Sequence, residues 1–165
     1  MTQLSDIRIG HGYDAHRFAE PEDQRPLMLG GVHIPHDRGL LAHSDGDALI
    51  HALCDALLGA LGRGDIGRHF PDNDASYKDV DSCVLLTQVM SMVHKEGWRL
   101  VNTDLTILAQ EPRMSPHIEA MREQMAGLLS VSAECVNVKA STTEGMGFVG
   151  RREGIETHAV VLLGR

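Results

Sequence analysis

Apolar and polar positions alternate at Ile7-Arg8-Ile9-Gly10, which predicts a first strand at the start of the chain. Between Pro26 and Pro35 two short apolar runs flank Gly30-Gly31, the pattern of a β-hairpin with a two-residue turn. Leu49, Leu53, Ala56 and Leu57 then recur at helical spacing. They predict a helix from a cap at Ser44 or Asp45 to about Leu61, stopped by Gly62. Residues 62–78, rich in Gly, Asp, Asn and Pro, predict an irregular loop, and so long a loop inside a domain is usually functional or disordered. Asp81 or Ser82 opens a second helix that reaches about Glu96, before Gly97. A strand is expected over 98–109, with Val101, Thr103, Leu105 and Ile107 on one face. Ser115-Pro116 reads as a cap followed by proline at the first helical position. The helix it opens turns Ile118, Met121, Met125 and Leu128 inward. Two further strands follow over 136–142 and 155–163. The expected fold is an α/β (α+β) sandwich: one mixed sheet layer packed by about three helices, in a single domain spanning 1–165.

Charge narrows the partners. Lys+Arg 15 against Asp+Glu 23 leaves a net charge of −8, which argues against general affinity for DNA or RNA. An aromatic content of 4% leaves little for base-stacking surfaces. A phosphorylated substrate would have to be held by a local device: a metal, backbone amides or a few placed cations. Cys54, Cys83 and Cys135 form no CxxC pair, so reduced thiols are expected, with neither a disulfide framework nor a thiolate zinc site. The stretch MTQLSDIRIG is not a secretory signal, and no apolar run approaches the roughly 20 residues of a membrane span. A soluble, cytoplasmic protein is expected.

Candidate chemistry centres on Asp14, His16 and His51. Asp14 and His16 lie two apart after a strand-like run, so an extended backbone points both to one face. An imidazole from the following helix, His51, would complete three ligands on a divalent metal with one position open, as in catalytic zinc sites. GHGYDA, from Gly10 to Ala15, formally matches a dinucleotide fingerprint. The helix that this fingerprint needs does not follow, so its glycines are read as keeping the backbone clear beside Asp14 and His16. Asp47 either orients a metal-bound imidazole from behind or is simply an acid favoured by the helix dipole. Ser44 is either a helix cap or, with His43, part of an anion site at that helix start. Ser141-Thr142-Thr143-Glu144 is either turn chemistry or a set of phosphate donors with a carboxylate for Mg²⁺, and Arg151 and Arg152 add local positive charge.

Read in order, GHGYDAH, GGVHIP, LLAHSDGDALIHALCDALLGALGRGDIGRHFPD, NTDLTILAQEPRMSPHI and VNVKASTTEGMGFVGRREGI resemble the 2-C-methyl-D-erythritol 2,4-cyclodiphosphate synthases of the non-mevalonate isoprenoid pathway, over nearly the whole chain. The resemblance implies a cytoplasmic homotrimer with active sites at its subunit interfaces. In these sites a cytidine diphosphate substrate cyclises by attack of its 2-phosphate on its β-phosphorus, releasing CMP. It implies one Zn²⁺ per subunit on Asp14, His16 and His51, and Mg²⁺ or Mn²⁺ held by Glu144 with the substrate diphosphate. By the same resemblance His43 and Thr142 stabilise the transition state, with Ser44, Ser141 and Thr143 beside them. Asp65, Ile66 and Gly67 meet the sugar or erythritol portion of the substrate, under a loop of Phe70, Pro71, Asp72, Asn73 and Asp74. Ala109, Gln110, Glu111, Pro112, Arg113, Met114 and Ser115 form the cytosine pocket, and Phe148 and Arg151 complete the wall. The chain departs from the family pattern at Arg113, Ser115, Gly145, Arg152 and His158, the last standing where an acidic residue often pairs with Arg151. Competing readings are a zinc-dependent phosphohydrolase and a non-catalytic module with a structural metal.

Overall fold

The four strands that organise the chain are β1 (Ile7–Arg17), β4 (Arg99–Leu108), β5 (Val136–Ser141) and β6 (Gly154–Gly164). They form one sheet in the order β1-β6-β4-β5, seen in a computed structural model that describes residues 6–71 and 73–165. β6 is antiparallel to both its neighbours, whereas β4 and β5 run parallel. A parallel pair needs a crossover, and α4 (Ile118–Leu129) supplies it. The hairpin β2 (Leu27–Leu29) and β3 (Val32–Ile34) turns through Gly30 and Gly31, both at positive φ (60° and 74°), as a two-residue turn demands. The fold is thus the expected α+β arrangement with a mixed sheet. The loop after α1 carries one added helical turn, α2 (Ile66–His69), and another, α5 (Gly147–Gly150), precedes β6.

One face of the sheet carries the core. α1 (Ala48–Leu61) lies across β1 and β6, α4 packs on β5, and α3 (Ser82–Lys95) packs on α1. The contact of α1 with β1 is made backbone to backbone at two glycines. A Cβ on Gly10 would stand 1.9 Å from the Ala56 carbonyl oxygen, and one on Gly12 would stand 1.8 Å from that of Ala52. The GHG glycines therefore make room for a helix, not merely for neighbouring side chains, and the strand continues unbroken through Asp14 and His16. The opposite face leaves Ile9, Tyr13 and Val160 exposed.

Three local expectations are corrected. The cap of α1 is Asp47, not Ser44 or Asp45: its carboxylate accepts the Ile50 N–H at 3.0 Å. The same buried carboxylate accepts the N–H groups of Gly30 (2.9 Å) and Gly31 (2.7 Å). Burial pushes the Asp47 pKa up while the three N–H donors pull against that shift. Asp47 thus ties hairpin to helix and does not orient His51. A bulge between Leu100 and Asn102 puts Leu100, not Val101, in phase with Thr103, Leu105 and Ile107, and Val101 is left 41% exposed. Finally, Ser115 and Pro116 belong to a turn closed by the His117 N–H on the Met114 carbonyl. The helix begins after it at Ile118, with Met121, Met125 and Leu129 fully inward and Leu128 only partly.

Candidate metal centre and active site

Because Gly10 and Gly12 let α1 settle onto β1, the first turn of the helix brings His51 to the face of β1 that carries Asp14 and His16. Asp14 Oδ2 lies 2.9 Å from His16 Nε2 and 3.1 Å from His51 Nδ1. The two imidazole nitrogens are 3.3 Å apart. Two nitrogens on one tetrahedral zinc, each about 2.0–2.1 Å from it, stand about 3.3 Å from one another, so the three atoms are spaced to share one ion. Among the described residues this is the only group of three such donors. Burial opposes the charge on Asp14, but hydrogen bonds and charge from His16 and His51 outweigh it and hold the pKa at about 2. Burial likewise disfavours His51⁺, and the carboxylates of Asp14, Asp47 and Asp45 outweigh it and raise the His51 pKa. A partly buried carboxylate between two imidazoles is the donor chemistry that a divalent cation completes, and the residues fit one.

The far side of His51 is held by a relay that sequence reading did not find. With Nδ1 facing the other donors, the ring proton belongs on Nε2, which donates to Ser82 Oγ at 2.9 Å, with Ser44 Oγ at 3.2 Å. The Ser82 hydroxyl donates in turn to Asp45, whose second oxygen accepts the Ser82 N–H at 3.1 Å. Asp45, not Asp47, is the carboxylate behind the imidazole. We expect Ser82→Ala to weaken divalent-metal binding by about 10- to 100-fold, as loss of such a partner typically does. Competition against a chromophoric chelator reads this directly, and unchanged affinity would show that the relay only packs.

The triad opens into a cavity of ≈ 260 Å³ whose wall includes His43, Ser44, Asp55, Ile66, Gly67, Phe70 and Tyr77. Phe70 is buried, and the Tyr77 ring meets it edge-on. The buried Nε2 of His43 has no hydrogen-bond partner, and an anion in the cavity would supply one. Asp65 and Asp74 do not line this wall. Asp65 accepts the Arg68 N–H to cap α2, and Asp74 accepts from Ser76. Pro71 and Asn73 are also away from the wall, and Asp72 lies outside the described residues. Asp55 was missed. It lies one turn beyond His51 on α1, accepts the Ile66 N–H at 2.7 Å, and is pushed up in pKa by burial. The i, i+4 spacing from His51 was the available signal.

A second cleft, of ≈ 350 Å³, is lined by Ala109, Gln110, Pro112, Arg113, Met114, Ser115, Ile118, Ala140, Ser141 and Thr142. Glu111 is absent from its wall and forms ion pairs with Arg38 (3.7 Å) and Arg152 (3.5 Å). Arg113 Nε donates to Ser115 Oγ at 2.9 Å, so the two departures from the family pattern pair with each other. Glu144, exposed and at φ 53°, accepts from the Thr142 hydroxyl at 3.2 Å, which places this carboxylate beside the cleft's Thr142. The Thr143 hydroxyl is committed to the Met146 carbonyl at 2.6 Å, and Arg151 to Glu153 at 2.7 Å. Phe148 is half-buried in α5, on neither wall. Among the described residues none lines both cavities: His43 lines one and Thr142 the other.

An α+β domain with three donors spaced to hold a metal ion beside one cavity, and a separate cleft, has the form of a metal-dependent enzyme. The chain belongs to the YgbB family, whose model matches residues 7–164. It is 63% identical over 157 residues to the 2-C-methyl-D-erythritol 2,4-cyclodiphosphate synthase of Azotobacter vinelandii, covering 95% of this chain and 98% of that one. It is 59% identical over 160 residues to the synthase of Thioalkalivibrio sulfidiphilus, covering 97% and 98%. Among solved structures it superposes on the CDP complex of IspF from Plasmodium falciparum with a TM-score of 0.84 at 33% identity, covering 98% of each chain. It also superposes on the bifunctional IspDF of Campylobacter jejuni (TM-score 0.91, 44% identity), covering 96% of this chain and 42% of that longer one.

Proposed function

We propose that the chain is a phosphorus–oxygen lyase acting in the cytoplasm. It converts 4-diphosphocytidyl-2-C-methyl-D-erythritol 2-phosphate into 2-C-methyl-D-erythritol 2,4-cyclodiphosphate and CMP. The observation that carries this reading is the pairing of an open Asp14/His16/His51 donor set with a distinct cleft of nucleoside size, in a chain whose relatives carry that name and hold CDP. An oxygen of the 2-phosphate bonds to the β-phosphorus, the bond from that phosphorus to the bridging oxygen breaks, and CMP leaves with the electron pair. Nucleophile and electrophile belong to one molecule, so the protein's task is to fold the substrate back on itself and to stabilise charge. Asp14, His16 and His51 would hold Zn²⁺ and Glu144 would hold Mg²⁺ or Mn²⁺, supplying Lewis-acid polarisation of the phosphoryl oxygens and neutralisation of the diphosphate. His43, with its unpartnered Nε2, and Ser44 donate to the phosphate in the first cavity. Ile66, Gly67 and Phe70 contact the erythritol, and the wall of Ala109, Gln110, Pro112, Arg113, Met114 and Ser115 holds the cytosine, with Thr142 and Ser141 toward the diphosphate.

Because the two cavities share no wall, the reading includes a homotrimer in which the metal cavity of one subunit faces the cleft of its neighbour. The exposed Ile9, Tyr13 and Val160 on the bare face of the sheet support such self-association. The test is a phosphorus NMR time course on the diphosphocytidyl substrate, with and without a chelator. Metal-dependent growth of two coupled cyclic-diphosphate signals, with equimolar CMP, is expected. Release of inorganic phosphate would instead make the chain a hydrolase, and indifference to the chelator would return the metal to a structural role.

A further inference from the structure

The bare face of the sheet carries a second cluster of imidazoles that the proposed reaction does not use. Tyr13 pairs with His158 across β1 and β6, and His11, two residues before Tyr13, projects from the same face. His11 Nε2 lies 3.2 Å from His158 Nδ1. That spacing matches the 3.3 Å between His16 Nε2 and His51 Nδ1 at the metal centre, and the roughly 3.3 Å expected for two nitrogens on one tetrahedral zinc. The other nitrogen of the His158 ring, Nε2, is 3.0 Å from Glu156 Oε1, and Glu156 stands two residues away on the same strand face. A carboxylate accepting the Nε2–H fixes the tautomer and leaves Nδ1 as a free lone pair facing His11, the support that metal-bound histidines commonly have. The Tyr13 ring packs edge-on against the His158 ring at 5.1 Å and restricts its rotation. Asp14 and His16 point to the opposite, helix-covered face, so the two sites share no ligand.

We propose that His11 and His158 form a second binding site for a divalent transition-metal ion of the zinc, nickel or copper class, with Glu156 as the positioning residue behind His158. The two imidazoles supply borderline nitrogen donors, which suit these ions and not Mg²⁺ or Ca²⁺. The remaining positions are left to water or to groups from another copy of the chain. The inference goes beyond the proposed reaction and does not depend on it.

The experiment is a calorimetric titration of the zinc-loaded wild-type protein with further Zn²⁺, repeated on variants of both sites. The loaded wild type, which already holds its tight ion, is expected to take up one further ion per chain in a second, weaker event in the micromolar range. His11→Ala and His158→Ala should each remove the weaker event while the tight ion stays bound, which also shows that the variants fold. Glu156→Gln should keep the second event but weaken it by about 10-fold, as loss of an outer carboxylate does. His51→Ala, titrated from the apo form, should lose the tight event alone. A loaded wild type that takes up no further ion, or a weaker event that survives in the His11→Ala/His158→Ala double variant, would overturn the assignment. In that case the two rings share only a hydrogen bond.

Discussion

His51→Ala is expected to abolish turnover, by about a thousand-fold or more, in a protein that remains folded. The magnitude follows from the several kcal/mol of transition-state charge stabilisation that a bound metal ordinarily contributes, at about 1.4 kcal/mol per factor of ten. The substitution removes one of three donors and also frees Asp14 from its 3.1 Å partner. Asp14 and His16 would remain as a two-donor site in which zinc binds weakly. Stability should change far less than activity, because the scaffold at this point is the glycine-mediated contact of α1 on β1 and the Asp47 tie to the hairpin, and neither involves His51. Circular dichroism, zinc content and the NMR assay on one preparation separate the outcomes. Full activity with zinc lost would sink the mechanism; unfolding in step with zinc loss would mark the metal as structural.

The three-donor group was legible in the sequence because its geometry is mostly local. Two residues on one strand face and one residue in the first turn of the next helix need only a single long-range contact, that of α1 with β1. The residues that secure that contact were visible, but their role was not. Nothing in GHG states that Ala52 and Ala56 will place carbonyls against it, since this depends on packing against a distant helix of the chain. The same limit explains the choice between Asp45 and Asp47. Both are acids at a helix start, and only the fold shows that Gly30 and Gly31 claim Asp47 whereas Ser82, from α3, links Asp45 to His51. Val101 failed for another reason. Alternation carries phase only while the strand is regular, and a bulge adds a residue that no apolar pattern announces. Asp55 was within reach of helical spacing, yet its weight comes from the Ile66 N–H and from burial, which are properties of the folded loop. His158, paired with Glu156 instead of Arg151, shows how a departure from a family pattern is settled by its neighbours on the strand.

The separation of the two cavities leads to the second large effect. If the reacting diphosphate lies between the Asp14/His16/His51 cavity of one subunit and the Thr142/Glu144 cleft of the next, two inactive proteins should restore each other. His51→Ala destroys the first half-site and leaves the cleft intact, while Thr142→Ala/Glu144→Ala does the reverse. Co-expressed with different tags and purified through both, every mixed trimer contains one neighbouring pair in which both halves are wild type. In a cyclic trimer that is one site in three, so turnover should recover to about a third of the wild-type value from two parents near zero. The recovered activity should vanish when the two variants are purified apart and simply mixed for less time than subunit exchange requires. It should also be absent when both lesions sit in the same chain. Mixed trimers as inactive as their parents would mean that cavity and cleft act within one chain, and the proposed assembly of the site would have to be abandoned even if the cyclisation itself were confirmed.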